Sequence, residues 1–194
     1  MLERRYSKFL NEVGVDEAGR GCLAGDVYAA AVIFPPDYQN EAINDSKKLT
    51  AAKRKKLAEI IRRDALAVGV GIATVKEIDE MNILRCSMLA MKRALEKVRS
   101  AVPIEFIIVD GNRFPGVDYA PHATIVKGDA KYLSIAAASI IAKTMRDEAM
   151  IALSNEYPCY QWQINKGYPT KAHRAAIAQF GPSRHHRMTF KLLP

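Results

Sequence analysis

The sequence predicts an α/β fold with a mixed central sheet flanked by helices, on three observations. Short apolar runs at residues 13–16, 27–34, 66–74 and 105–110 have the length and composition of buried strands. Longer stretches, 77–99 and 132–153, carry apolar residues at helical spacing. The first three strands are joined partly by short connections, whereas an all-parallel sheet needs a long crossover between every pair.

The elements follow in order. Val13-Gly14-Val15-Asp16 is a short strand that stops at the Gly-rich stretch Ala18-Gly19-Arg20-Gly21. Residues 27–34 are apolar on both faces and end at Pro35-Pro36, so they belong centrally in a covered sheet. A polar loop over 44–50 leads to Thr50, a suitable N-cap for a helix over 51–64 with a basic face. Residues 66–74 alternate Val and Ile with small residues. In 77–99, Ile78, Met81, Leu84, Met88, Met91 and Leu95 form one apolar stripe, with a break expected near Asn82. The run Glu105-Phe106-Ile107-Ile108-Val109-Asp110 is a buried strand ending in a carboxylate, and 124–127 is a short further strand. In the helix from Tyr132 to about residue 153, Ala136-Ala137-Ala138-Ser139 permits close packing on the sheet. Beyond Pro158 come a loop containing Lys166-Gly167-Tyr168-Pro169-Thr170, a helix to about Phe180 and a basic tail. Without repeat or linker, residues 1–194 read as one domain, including a helical region from about 155 to 194.

A formal charge of +8 and a pI of about 9.4 favour a polyanionic partner, because neutralised phosphates release counterions. Cys22, Cys86 and Cys159 are far apart and form no C-x-x-C pair, so neither a disulfide framework nor a zinc site is indicated. The start lacks the apolar core of a signal peptide, and no apolar run approaches the roughly 20 residues that span a bilayer. The expectation is a soluble, cytoplasmic protein, monomeric by default and with no membrane partner.

Chemistry is suggested by where the acids sit. Asp16 and Asp110 each end an apolar strand and are followed within a few residues by glycine. Carboxylates at neighbouring strand ends can converge, and a divalent cation reverses the penalty of clustering them. Oxygen-only ligation suits Mg²⁺ or Mn²⁺, and two such ions stabilise both the attacking and the leaving oxygen of a phosphodiester. A strand-end acid reads equally as a helix cap or the partner of a base. Glu17 adds a geometric problem: neighbours on a strand face opposite ways, so Asp16 and Glu17 share a pocket only if the chain turns there. The glycines that follow allow such a turn. They also let backbone approach a ligand closely, beside an Arg able to fork onto phosphate. No G-x-x-x-x-G-K-[ST] loop is present.

The run Val13-Gly14-Val15-Asp16-Glu17-Ala18-Gly19-Arg20-Gly21, followed by Leu23-Ala24-Gly25, resembles the signature of ribonuclease HII. Further blocks appear in that family's order: Asp45-Ser46-Lys47-Lys48-Leu49, Val109-Asp110-Gly111, Lys127-Gly128-Asp129, and Ser134-Ile135-Ala136-Ala137-Ala138-Ser139-Ile140. Lys166-Gly167-Tyr168-Pro169-Thr170 and Gly181-Pro182-Ser183 complete a match spanning nearly the whole chain. The resemblance implies a ribonuclease H-like fold with a C-terminal helical extension. By motif position it implies that Asp16, Glu17, Asp110 and Asp129 are the catalytic acids and hold two divalent ions, Mg²⁺ or Mn²⁺. Asp147 competes with Asp129, but is expected on a solvated face or paired with Arg146 or Lys143. The resemblance places 2′-OH sensing on Gly19, Arg20, Gly21 and Tyr168, the hydroxyl being what separates RNA from DNA. Lys47 and Lys48 are offered as phosphate contacts, with Lys53, Arg54, Lys55 and Lys56 tracking the duplex.

Some residues depart from the family pattern. Cys22 and Asp26 stand where proline is common, Cys159 where glycine is common, and Gln161-Trp162-Gln163 is an unusual version of its loop. His122, His173, His185 and His186 are not arranged as ligands, and His185-His186-Arg187 reads as a basic surface or packing element.

The implied activity is hydrolysis of the RNA strand of RNA–DNA hybrids and nicking 5′ to single ribonucleotides in duplex DNA, leaving 5′-phosphate and 3′-hydroxyl ends. The rivals are a related nuclease acting on DNA junctions or ends, and a non-catalytic hybrid-binding protein whose acids serve structure.

Overall fold

A computed structural model describes residues 2–194. Five strands form one mixed sheet: β1 (Glu12–Ala18), β2 (Val27–Ile33), β3 (Ala67–Ala73), β4 (Phe106–Asp110) and β5 (His122–Ile125), in the order β3-β2-β1-β4-β5. β1 pairs antiparallel with β2 through the short connection 19–26, and β2 antiparallel with β3 through a longer one, 34–66, that holds a helix. β4 adds in parallel beside β1 after a long helical crossover, and β5 in parallel beside β4 after the link 111–121. All seven residues of β2 are buried, as a strand covered on both faces requires.

Six helices accompany the sheet: α1 (Ala51–Asp64), α2 (Val75–Met81), α3 (Ile83–Arg99), α4 (Leu133–Glu156), α5 (Trp162–Asn165) and α6 (Lys171–Phe180). Thr50 caps α1 by accepting from the Lys53 N–H. Thr74 and Glu77 form a capping box for α2, so Thr74 starts a helix rather than ending β3. The expected break falls at Asn82, whose backbone is left-handed (φ 75°) and whose side chain caps α3.

Strand alternation separates two cores. Val13, Val15, Ala29, Ala31 and Ile33 face α3, while Ala30 and Val32 face α4 and α1. Close approach on both faces depends on glycine. A Cβ on Gly14 would lie 2.3 Å from the backbone carbon of Ser134 in α4, and one on Gly71 would lie 2.0 Å from the Ala90 carbonyl in α3. The small-residue run of α4 therefore rests directly on β1.

β5 differs from its expected bounds. It begins at His122 and stops at Ile125, because Lys127 turns left-handed (φ 57°) and starts a 3-10 turn over Gly128–Ala130. As a partly exposed edge strand it has a weak apolar pattern.

Gly71→Ala is expected to destabilise the fold by about 3 kcal/mol, the upper end of the range for overpacking, since its neighbour is backbone. Gly21, with no atom within 4 Å of its ideal Cβ, should tolerate alanine within about 0.5 kcal/mol. Urea denaturation of the two variants checks this; equal losses would remove the close-packing explanation.

Candidate active site

The site originates where two parallel strands end out of step. The β1–β4 register runs only to Val15↔Val109, and β4 stops at Asp110, whereas β1 stays paired with β2 as far as Ala18↔Tyr28. The last residues of β1 thus have one open edge. Asp16 and Glu17 obey strand alternation, and Glu17 also lines a small cavity against Ser87 and Met88 of α3. Both acids nevertheless reach a cavity of about 360 Å³ shared with Asp110, Gly19, Lys47 and Tyr168. The expected turn between Asp16 and Glu17 is absent: the strand continues, and the unpaired edge lets both acids into the same space.

The acids repel one another. Burial pushes the Asp16 carboxyl well above the usual carboxylate range, and the charges of Glu17 and Asp110 push it further. Burial also raises Glu17, opposed by Arg20 at 3.1 Å. Asp110 is raised by burial and by Asp129, against which the Gly128 N–H donates to its Oδ1 at 2.7 Å. Asp129 is buried in the 3-10 turn, and Lys47 Nζ lies 3.3 Å from its Oδ2. Burial disfavours the Lys47 charge, but Asp129, Asp45 and Asp16 outweigh that and hold its pKa above the ordinary lysine value.

This donor set suits a hard divalent cation and not a soft one, because every acidic group offers oxygen alone. Among the described residues no three His, Cys, Asp or Glu side chains form a ready-made cage. Mg²⁺ does not need one, since it retains several waters and takes one or two carboxylates.

Serines and bases in structural roles that the sequence did not assign complete the surroundings. Ser139 of α4 lies beside Asp16 in the cavity and favours its charged form, and its Oγ lies 2.9 Å from Ser46 Oγ, which brings two of the sequence blocks to this acid. Asp147 is buried rather than solvated; it pairs with Lys143 at 2.7 Å and Arg54 at 3.1 Å, and Arg146 turns elsewhere. Arg54 also donates to the carbonyls of Ser46 and Leu49, so it braces the 3-10 turn Ser46–Lys48, and it lines the acid cavity. Lys53, Lys55 and Lys56 are exposed. Lys48 is exposed and lies outside the cavity lining.

Two buried arginines hold the loop after β1. Arg146 donates to the carbonyls of Ala24, Asp26 and Lys166, and Arg187 to those of Arg20 and Gly25. Gly19 (φ 100°) is glycine for this reason as well, since a Cβ there would meet Arg146 Nε at 2.1 Å. The Leu23 N–H donates to the Gly167 carbonyl at 2.8 Å, which sets the loop beside Tyr168. The Tyr168 ring has Lys143 Nζ 5.1 Å from its centroid, and the buried Cys22 lies near its hydroxyl. Asp26, at the other position where proline is common, caps α2 by accepting from the Val75 N–H. His186 and Arg187 prove to be packing elements, both buried. Nothing in the sequence distinguishes Arg146 or Arg187 from a surface charge except the apolar and small residues around Arg146.

The chain is similar to known proteins in both sequence and fold. A family model described as Ribonuclease HII matches residues 13–193. The Ribonuclease HII of Bacteroides thetaiotaomicron is 58% identical over 193 residues, covering 100% of this chain and 96% of that protein. The ribonuclease H2 of Pyrococcus horikoshii superposes with a TM-score of 0.72 at 28% identity, covering 93% of this chain and 94% of that one. Bst-RNase HIII, solved in complex with Mn²⁺, gives a TM-score of 0.77 at 20% identity over 94% of this chain and 68% of that one, a likeness of fold. The mixed sheet with its helices is a ribonuclease H-like fold, and the chain belongs to the ribonuclease HII family.

Proposed function

We propose that this protein is a divalent-metal-dependent endonuclease that hydrolyses the RNA strand of RNA–DNA hybrids and nicks 5′ to single ribonucleotides in duplex DNA. The observation that carries this reading is one cavity lined by Asp16, Glu17 and Asp110 together with Gly19 and Tyr168. Acids suited to hard cations and a backbone suited to sugar recognition meet in one space.

Asp16, Glu17, Asp110 and Asp129 are the residues that would hold two ions, Mg²⁺ or Mn²⁺. Bound there, such ions supply a nucleophilic water at neutral pH and compensate charge on the departing 3′ oxygen. The protein's own groups do the rest. Ser139 and the Glu17 N–H, the latter donating at 2.7 Å, orient the Asp16 carboxylate. Lys47 and Arg20 balance charge on Asp129 and Glu17 and are exposed enough to meet phosphate. Gly21, exposed and with nothing within 4 Å of an ideal Cβ, leaves room for a sugar to approach the backbone, and Tyr168 lines the acid cavity.

A duplex carrying one ribonucleotide, incubated with Mg²⁺ or Mn²⁺, should be nicked 5′ to that residue with a 5′-phosphate product, and an all-DNA duplex should not. Asp16→Asn should lower the rate at least about 10²-fold. A 2′,3′-cyclic phosphate product would show attack by the 2′-OH and end the metal-hydrolysis reading; binding without turnover would favour a hybrid-binding protein.

Gly21→Ala, expected above to be neutral for stability, should lower kcat/KM on the same substrate about tenfold or more by filling the sugar approach. Unchanged cleavage would remove the loop from recognition.

Asp16 also predicts a pH dependence. Its folded-state pKa lies above its unfolded value of about 4, so the folded state binds the proton more tightly. Without metal, stability should fall as pH rises from about 4 through the raised pKa and stay lower above it. Calorimetry at pH 7 without metal should give Asp16→Asn a higher midpoint than the parent, by about 2–4 °C for each ~1 kcal/mol relieved. Mg²⁺ or Mn²⁺ should stabilise the parent more than the variant.

A further inference from the structure

Beneath Tyr168 lies a pair of buried histidines that the proposed chemistry does not use. His173 in α6 and His186 in the tail are 0% and 1% exposed, and their Nε2 atoms are 3.2 Å apart. Their neighbours determine where each proton sits. The Ser183 N–H donates to His186 Nδ1 at 2.9 Å, so that nitrogen is the acceptor and His186 carries its proton on Nε2. Trp162 Nε1–H, which can only donate, reaches His173 Nε2 at 2.9 Å. His173 Nε2 is therefore an acceptor, and it takes the His186 Nε2–H as well. The one remaining proton of His173 lies on Nδ1, 2.9 Å from the Tyr168 carbonyl oxygen. Both rings are neutral in this arrangement. Burial depresses both, and His186 is lowered to about 4.

The chain of donors ends on the backbone of the residue that walls the acid cavity. The Tyr168 carbonyl accepts from His173 Nδ1–H and from the Thr170 N–H at 2.8 Å, while the Tyr168 N–H donates to the Asn165 carbonyl at 2.9 Å. With the peptide planes on both sides of its Cα held, the direction of its Cα–Cβ bond is held too. Tyr168 is 38% exposed as a residue, so the backbone supplies much of the aim of its ring. Trp162, part of the loop that departs from the family pattern, is fully buried and sets the His173 tautomer.

We propose that His173 is a positioning residue for ribonucleotide recognition: its Nδ1–H, directed by Trp162 and His186, fixes the Tyr168 backbone and so aims the phenol into the cavity. This rests on the proposed role of Tyr168 in reading the ribonucleotide.

The test separates the two nitrogens of the ring. In His173→Asn the side-chain amide overlies Nδ1 and keeps a donor for the Tyr168 carbonyl. In His173→Gln the amide overlies Nε2, serving Trp162 and His186 but withdrawing that donor. On a duplex with one ribonucleotide, H173Q should lower kcat/KM about tenfold through misplacement of Tyr168, and H173N should stay within about threefold of the parent. In a Tyr168→Ala background H173Q should cause no further loss, because both changes remove the same contact. Thermal midpoints of all variants show whether folding is intact, and long-range ¹H–¹⁵N correlation spectra of the parent should show His173 protonated on Nδ1 and His186 on Nε2. Additive losses for H173Q and Y168A, or a His173 proton on Nε2, would overturn the positioning role alone. A parent protein unable to cut the ribonucleotide-containing duplex would instead overturn the functional reading on which it rests.

Discussion

Two guanidinium groups buried without an ion pair are the constraint on which the rest of the site depends. The chain between β1 and β2 must reverse within a few residues, and from Cys22 to Ala24 it is fully or nearly fully buried. Its carbonyls have few ladder partners there, and each one left unsatisfied in the interior costs roughly 1–3 kcal/mol. Arg146 and Arg187 answer five carbonyls between them, four of these in the loop itself. Burial lowers the Arg187 pKa to about 10, which leaves it charged at neutral pH. A charge so placed is tolerable because carbonyl dipoles surround it in place of water.

That clamp explains why distant segments build one cavity. Arg187 reaches Arg20 across 167 positions of sequence, and Arg146 joins α4 to both the loop and Lys166. The sheet supplies acids, and the loop and Tyr168 supply further lining of the same cavity. The tail, through Arg187, helps to hold the loop in place. The apolar cluster of Leu23, Ala24, Met150, Trp162 and Ile177 adds packing to the same junction, so polar and apolar contributions bear on one short loop. The region from about residue 155 onward is therefore continuous with the site.

Much of this was legible in the sequence, for reasons that differ by residue. Asp16 and Asp110 stood out because each interrupts a buried apolar run at its end, where a carboxylate has no packing value. The break at Asn82 was legible because Asn is among the few side chains that accept a left-handed backbone and cap a helix at once. Asp129 and Tyr168 came into view only through the resemblance, since nothing in their spacing distinguishes them from an ordinary turn acid and a core aromatic. The sharing of one cavity by Asp16 and Glu17 was not legible, because it depends on β4 stopping one residue beyond Val109, a tertiary fact. Arg54 and Arg146 were given no structural role of their own from the sequence, for a common reason. A charge written in sequence looks solvated until the fold shows what surrounds it.

The acid cluster is left in a state suited to capturing cations. Desolvation and like charge raise Asp16, Glu17 and Asp110 together, so the site without a cation holds unfavourable energy that the fold offsets elsewhere. The two positive groups that touch it are loosely held. The Lys47 side chain is 80% exposed and the Arg20 side chain 52%, each with one contact longer than 3 Å to its acid. Pairs of that kind contribute roughly 0–1 kcal/mol. They reduce repulsion between the carboxylates without occupying the oxygens firmly, so a divalent cation with more charge and a shorter reach can displace them. Had Arg146 or Arg187 faced the acids instead, each buried and fully bonded, the same carboxylates would have been closed into a static ion pair. Placing the strong bases on loop carbonyls and the weak ones on the acids keeps the frame rigid and the carboxylates available.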